Sequence, residues 1–153
     1  MSGRYLEDMV VGETRQLGSR SLSEDEIIAF ALKFDPQPFH IDREAAARSH
    51  FGGIVASGWH SAATMMRVVV DRAMADGPGG FIGSPGFEDL RWLKPVRPGD
   101  SLSVTTTVTD VIPSTTKPDR GVVRTRYEVT NQHGETVLTM NGKGMCLRRA
   151  GTA

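Results

Sequence analysis

The spacing of apolar residues in 60–76 follows the three- and four-residue intervals of an α-helix. The residues that form this apolar stripe are Ala62, Met65, Met66, Val69 and Ala73. Val68, Val70 and Met74 widen the stripe, and so wide an apolar surface is typical of a helix with neighbours on most of its sides. The pattern therefore predicts one long, largely enclosed helix in the middle of the chain.

Beyond residue 100 the apolar residues recur at every second position, which is the period of a β-strand. Alternation runs through 101–108 and 122–129, and a last strand is predicted for Thr136–Leu147, after a hairpin turn at 132–134. The connections are too short to hold helices, so these strands should be antiparallel neighbours. Five glycines and two prolines in 77–86 predict a loop between the long helix and the sheet.

The first part of the chain carries clear start and stop signals. A strand is predicted for 14–22, and Ser23 with Glu26 has the form of a capping box that opens a short helix. This helix should end near Phe34, because Asp35 precedes a proline and is therefore disfavoured in the helical conformation.

A second short helix is predicted for 42–49, with Asp42 as its N-cap. The order of elements is then one strand, short helices, one long helix and about four antiparallel strands. That order predicts an α+β fold in which a curved sheet wraps around a central helix.

Composition limits the classes of protein to consider. A length of 153 residues suits a single domain, expected to span 1–153, and 18 basic residues balance 18 acidic ones, which argues against a nucleic-acid partner. No apolar run is long enough to span a bilayer and 1–8 has no apolar signal segment, so we expect a cytoplasmic protein without a membrane partner. Cys146 is the only cysteine, and its apolar surroundings predict a packing role.

Candidate chemistry begins at residues 35–42, "DPQPFHID". Asp35 and His40 would be up to ~17 Å apart in an extended chain, so they can act together only if the segment curls. Pro36 and Pro38 restrict how it bends and lower the entropy cost of holding a bend. A carboxylate and an imidazole at one carbon–carbon bond suit proton removal and return. A stiff loop without catalytic chemistry explains the same residues.

The start of the long helix is a second candidate, because the first N–H groups of a helix lack backbone partners and attract negative charge. Gly58 would let a ligand approach the backbone closely. A purely structural interpretation is open too. In it Ser57 is an N-cap, and Gly58 lies where the chain turns tightly into the long helix.

Three motifs, "FDPQPFHID", "FGGIVASGWHSAA" and "LRWLKPVRPGDSL", resemble in this order the MaoC-like dehydratases, which include the (R)-specific enoyl-CoA hydratases of the hot-dog fold. The resemblance implies a single hot-dog domain, with a sheet of about five strands around a long central helix. It also implies a trans-2-enoyl thioester of coenzyme A as substrate, hydrated reversibly to a 3-hydroxyacyl thioester, with no cofactor apart from the coenzyme A of the substrate.

Carried over to this sequence, the resemblance makes Asp35 and His40 the pair that activates water and protonates the α-carbon. Which of them is the acid and which the base stays open. The backbone N–H of Gly58 would hydrogen-bond the thioester oxygen. Gln37 stands where the family pattern usually has Asn, one methylene shorter.

The predicted substrate contacts are Gln37, Ser57, Trp59, Arg91 and Lys94. Arg91 and Lys94, with Arg97, are candidates for contact with the phosphates of coenzyme A, although a run of cations is more often a solvated surface. The histidines show no metal-ligand spacing, so no metal site is predicted.

Two other functions remain to be separated from the hydratase. A hot-dog thioesterase needs a carboxylate near the carbonyl, but the first acid on the long helix after Gly58 is Asp71, more than three turns away. A non-catalytic acyl-binding subunit should lack the Asp or His of the motif, and both are present. The resemblance also implies a homodimer at least.

Overall fold

The computed structural model describes residues 3–150; Met1, Ser2 and 151–153, which the single-domain prediction includes, lie outside the described residues. After a 3-10 helix (Leu6–Asp8), the elements are β1 (Thr14–Ser21), α1 (Glu24–Phe34), α2 (Pro38–Ile41), α3 (Arg43–Arg48), α4 (Gly58–Asp76), β2 (Phe81–Trp92), β3 (Ser101–Pro113), β4 (Arg120–Thr130) and β5 (Thr136–Leu147). The α+β prediction, with one strand before the long helix and four after it, is confirmed.

All five strands form one antiparallel sheet in the order β1-β3-β4-β5-β2. Strands β3, β4 and β5 are joined by hairpins and make up its centre. Strand β1 pairs with β3 at one edge, and β2 pairs with β5 at the other. The order leaves one side of β2 without a strand partner among the described residues.

The predicted helix starts are confirmed by their caps. The Ser23 hydroxyl accepts from the Glu26 N–H, and the Glu26 carboxylate accepts from the Ser23 N–H. The Asp42 carboxylate accepts from the Ala45 N–H at 2.9 Å. Ser57 caps α4 by accepting from the Trp59 N–H at 3.3 Å. Local side-chain chemistry thus fixes where the three helices begin.

The main core lies between α4 and the central strands of the sheet. Met65 and Val68 of α4 are buried against residues of β3, β4 and β5, among them Leu102, Val129 and Leu138. A smaller cluster, which includes Leu6, Val123 and the fully buried Cys146, closes the end of the sheet under the 3-10 helix. The predicted packing role of Cys146 is confirmed.

The prediction that α4 is enclosed on most sides is wrong for the single chain. Val70 is 42% exposed and Met74 is 76% exposed, because the sheet covers only the side of α4 that carries Ser61, Thr64, Met65 and Val68. Val70 and Met74, on the opposite side, are only partly covered by the described part of this chain.

The predicted loop over 77–86 is also wrong at its C-terminal end, because β2 begins at Phe81. Phe81 and Gly83 pair with β5 through irregular registers, and Gly83 has a φ of 144°, which favours glycine. Pro85 is tolerated because β2 is an edge strand, and one of its sides pairs with no other strand in the described part of the chain. Glycine and proline therefore mark an irregular edge strand in this segment.

Candidate active site

A cleft of about 430 Å³ lies where the α1–α2 connection, the start of α4 and the segment after β2 meet. Its polar lining consists of Asp35, Gln37, His40, Ser61 and Lys94, together with the Gly58 backbone. The apolar lining includes Phe39, Phe51, Val55, Trp59, Trp92, Leu93 and Val96. An apolar cleft with a few convergent polar groups has the usual form of a small-molecule site.

The segment 35–41 curls, which Asp35 and His40 need if they are to act together. The Gln37 N–H donates to the Asp35 carbonyl at 2.8 Å, and Pro38 then occupies the first turn of α2, where its missing N–H costs no hydrogen bond. One turn of helix brings His40 back toward Asp35. Asp35 Oδ2 and His40 Nε2 are 3.4 Å apart.

His40 is held in one tautomer by the chain that leads into α4. The residue is 5% exposed, and Nδ1 lies 2.6 Å from the carbonyl oxygen of Val55. Because a carbonyl oxygen only accepts hydrogen bonds, Nδ1 carries the proton. The lone pair of a neutral His40 therefore lies on Nε2, on the side of Asp35.

Asp35 accepts a hydrogen bond on each carboxylate oxygen. The Ser57 hydroxyl donates to Oδ2 at 2.7 Å, and Nε2 of Gln37 donates to Oδ1 at 2.8 Å. These bonds, Ser57 first, together with the neighbouring His40, lower the pKa of Asp35 against the opposing effect of burial. Asp35 is thus held as a carboxylate.

Gly58 is the first residue of α4 and lines the cleft. Within residues 3–150 its N–H has no hydrogen-bond acceptor, whereas the following N–H groups of Trp59 and His60 bond to Ser57. An unpaired N–H at the positive end of a helix is suited to stabilise a negatively charged oxygen.

The remaining predicted contacts differ in their positions. Trp59 lines the cleft and is 59% exposed, with its ring 5.2 Å from that of Trp92. Lys94 also lines the cleft and forms an ion pair with Glu135. The structure does not bring Arg91 or Ser57 to the cleft wall.

Arg91 is an exposed residue of β2 that pairs with Asp89 at 2.8 Å. The Ser57 side chain is fully buried behind Asp35. Direct substrate contact by these two residues therefore has no support in the single chain.

Sequence reasoning missed two residues that shape the site. The Val55 carbonyl fixes the His40 tautomer, and Trp92 packs on Gly58 while its Nε1 donates to the Gly58 carbonyl at 2.8 Å. Both contacts join residues distant in the chain. A backbone carbonyl carries no signal in a sequence, and the position of Trp92 in the motif "LRWLKPVRPGDSL" does not indicate that it packs on Gly58.

Two features are absent from residues 3–150. No group of three or more His, Cys, Asp or Glu side chains has the arrangement of a metal site. No helix in this part of the chain has both the length and the apolar character that crossing a bilayer demands.

The fold and the site together define a hot-dog protein in which Asp35 and His40 line one cleft with the start of the central helix. Residues 8–133 match the family model described as "MaoC like domain", and the chain belongs to this family. The crystal structure of a MaoC-like dehydratase from Rhodospirillum rubrum is similar, with 44% identity, a TM-score of 0.86 and coverage of 95% of this chain and 97% of that one.

Two relatives have names that state an activity. An (R)-specific enoyl-CoA hydratase from Rhodospirillum rubrum is 33% identical over 71% of this chain and 72% of its own length. A 3-hydroxybutyryl-CoA dehydratase from Methylorubrum extorquens is 34% identical over 71% of this chain and 66% of its own length. At the level of the family, the likeness supports a lyase that adds or removes water.

Proposed function

We propose that this chain reversibly hydrates a trans-2-enoyl thioester of coenzyme A to the (R)-3-hydroxyacyl thioester. The observation that carries the proposal is the pair of Asp35 Oδ2 and His40 Nε2, 3.4 Å apart in the cleft that the Gly58 backbone also lines. The names of the two relatives support the substrate class and the configuration of the product.

His40 acts as the base toward water in the hydration direction. Its Nδ1–H is fixed on the Val55 carbonyl, so Nε2 is the atom that accepts the proton. The imidazolium then lies beside Asp35, whose negative charge stabilises it at 3.4 Å. Water oxygen bonds to the β-carbon, and the proton on Nε2 passes to the α-carbon, so the pair returns to its starting state.

The Gly58 N–H supplies the complementary charge stabilisation. As water adds, negative charge moves onto the thioester oxygen, and this N–H at the start of α4 hydrogen-bonds it. Loss of one such donor costs other enzymes roughly 3–4 kcal/mol of barrier. The base and the oxyanion donor thus act on the two ends of one conjugated system.

The rest of the cleft suits a thioester with an acyl chain. Phe39, Phe51 and Val55 provide apolar surface for the acyl group, and Lys94 offers a cation at the wall for the coenzyme. Coenzyme A enters only as part of the substrate and leaves with the product.

The active form is a homodimer that uses the free side of β2. This strand has 12 residues, one side without a strand partner in residues 3–150, and exposed apolar side chains that include Ile82 at 44%. An unpaired edge of this length is a template for a second strand. Val70 and Met74, exposed on α4, add apolar surface that a second copy can cover.

A thioesterase is the second candidate, and the geometry disfavours it. Asp71, the first acid on α4, pairs with Arg67 at 2.8 Å on an exposed surface, far from Gly58. Asp35 and His40 are both present and in contact, contrary to what a non-catalytic acyl-binding subunit should show.

One experiment separates these functions. Crotonyl-CoA is added to the purified protein, and loss of the enoyl absorbance and release of free thiol are followed in parallel. The proposal expects loss of absorbance without thiol release. Thiol release with the enoyl group intact would make the chain a thioesterase, and neither signal across short and medium acyl chains would favour the binding subunit.

A further inference from the structure

Ser57 is the residue immediately before the oxyanion donor, yet it does not face the cleft. Its side chain is fully buried, and it is absent from a cleft lining that includes Val55, Ala56, Gly58 and Trp59 on either side of it. A role for this hydroxyl in the reaction must therefore pass through another residue.

The Ser57 hydroxyl both donates and accepts a hydrogen bond. It donates its only proton to Asp35 Oδ2 at 2.7 Å and accepts from the Trp59 N–H at 3.3 Å. A donor that also accepts a hydrogen bond is polarised and donates more strongly. The hydroxyl therefore connects the first turn of α4 to the carboxylate.

The bond from Ser57 falls on the oxygen that faces His40. Oδ2 is the atom 3.4 Å from His40 Nε2, and Oδ1 is occupied by Gln37. With a donor on each oxygen, the carboxylate cannot rotate without losing a hydrogen bond. Its orientation toward the imidazole is thereby fixed.

We propose that Ser57 is a positioning residue that holds the Asp35 side chain in place and aims its Oδ2 at His40. The expected effect of Ser57 on the reaction rate rests on the proposed hydratase function, whereas its expected effect on Asp35 does not. The same hydrogen bond is the largest cause of the lowered pKa of Asp35. Without it the carboxyl group takes up its proton at a higher pH, and it turns more freely.

A simple N-cap role makes a different prediction. Glycine is nearly as good an N-cap as serine, so Ser57→Gly keeps α4 close to its original stability while removing the hydroxyl. Ser57→Ala removes both the cap and the donor. Ser57→Thr restores a hydroxyl. Thr64→Val is the matched control, because it removes a buried hydroxyl from α4 at a position that does not line the cleft.

Two measurements are made on these variants. The first is the pH titration of the Asp35 carboxyl carbon by NMR, with Asp35→Asn for assignment, and it needs no activity. The second is the pH profile of crotonyl-CoA hydration. We expect Ser57→Gly and Ser57→Ala to raise the Asp35 pKa and to move the acid limb of kcat/KM to higher pH, because the reaction needs Asp35 ionised.

In the same two variants kcat should fall about 10- to 100-fold with KM nearly unchanged, as for loss of one hydrogen bond to a charged group. Ser57→Thr should recover part of the loss, and Thr64→Val should match the wild type. An unchanged Asp35 titration in Ser57→Gly would overturn the inference, as would a raised KM at constant kcat. Absence of activity in the wild type would overturn the hydratase proposal, while the titration would still decide the role of Ser57.

Discussion

The indole of Trp92, at the end of β2, covers the Cα of Gly58, at the start of α4. A Cβ atom added to Gly58 would lie 2.4 Å from Cε2 of this ring, and the ring Nε1 donates to the Gly58 carbonyl at 2.8 Å. The need for glycine at this position therefore has a cause inside the protein. It does not depend only on the close approach of a substrate to the backbone.

Gly58→Ala should lower both stability and activity, because the added methyl group must displace Trp92 or shift the start of α4. Overpacking of this kind typically costs about 1–3 kcal/mol of unfolding free energy. Chemical denaturation gives the unfolding free energy lost on Gly58→Ala in the wild-type background and in a Trp92→Leu background. The difference between the two losses measures the coupling between positions 58 and 92.

The cost of Gly58→Ala should be smaller in the Trp92→Leu background. Equal costs in both backgrounds would show that the tryptophan is not the reason for glycine. Ala63→Gly, on the exposed side of α4, is a control for the general effect of a glycine–alanine exchange in this helix.

Ile82→Asp should convert the proposed homodimer to a monomer. Ile82 is 44% exposed on the edge strand, and a charge on an edge strand opposes pairing with a second copy. Size-exclusion chromatography with light scattering gives the mass. Ile112→Asp is the matched control, since Ile112 is 40% exposed on β3, where it pairs with Val122 of β4 and lies outside the free side of β2. A wild-type monomer with full activity, or an Ile82→Asp dimer, would contradict the assignment.

Cys146 should resist alkylation while the protein is folded. Burial raises the pKa of its thiol to about 11, so at pH 8 only about one thiol in a thousand is ionised, and no solvent reaches the side chain. Iodoacetamide at pH 8 should label Cys146 only after unfolding, as detected by mass spectrometry. Rapid labelling of the native protein would show that this end of the sheet opens easily.

The features that the sequence predicted well have local causes. Ser23 with Glu26, and Asp42, cap helices through side chains a few residues from their targets, so a short window of sequence contains the whole interaction. The bend between Asp35 and His40 is local too, because the chain reverses within one short helix.

The features that it did not predict depend on contacts between distant segments. The start of β2 at Phe81 depends on pairing with β5, and the exposure of Met74 depends on which side of α4 the sheet covers. The tautomer of His40 depends on a carbonyl fifteen residues away. Ser57 was expected at the substrate, but its orientation toward Asp35 depends on how α1 and α4 meet.

The joint role of Asp35 and His40 in hydrating an enoyl thioester is tested by the rate of crotonyl-CoA hydration. The rate is measured for wild type, Asp35→Asn and His40→Ala, with Asp71→Asn as a control outside the cleft. Thermal unfolding checks that each variant is folded. We expect an active wild type, an unaffected Asp71→Asn and a loss of roughly 10²- to 10⁴-fold in the other two variants. An inactive wild type, or full activity in folded Asp35→Asn and His40→Ala, would show that the two residues do not have this role.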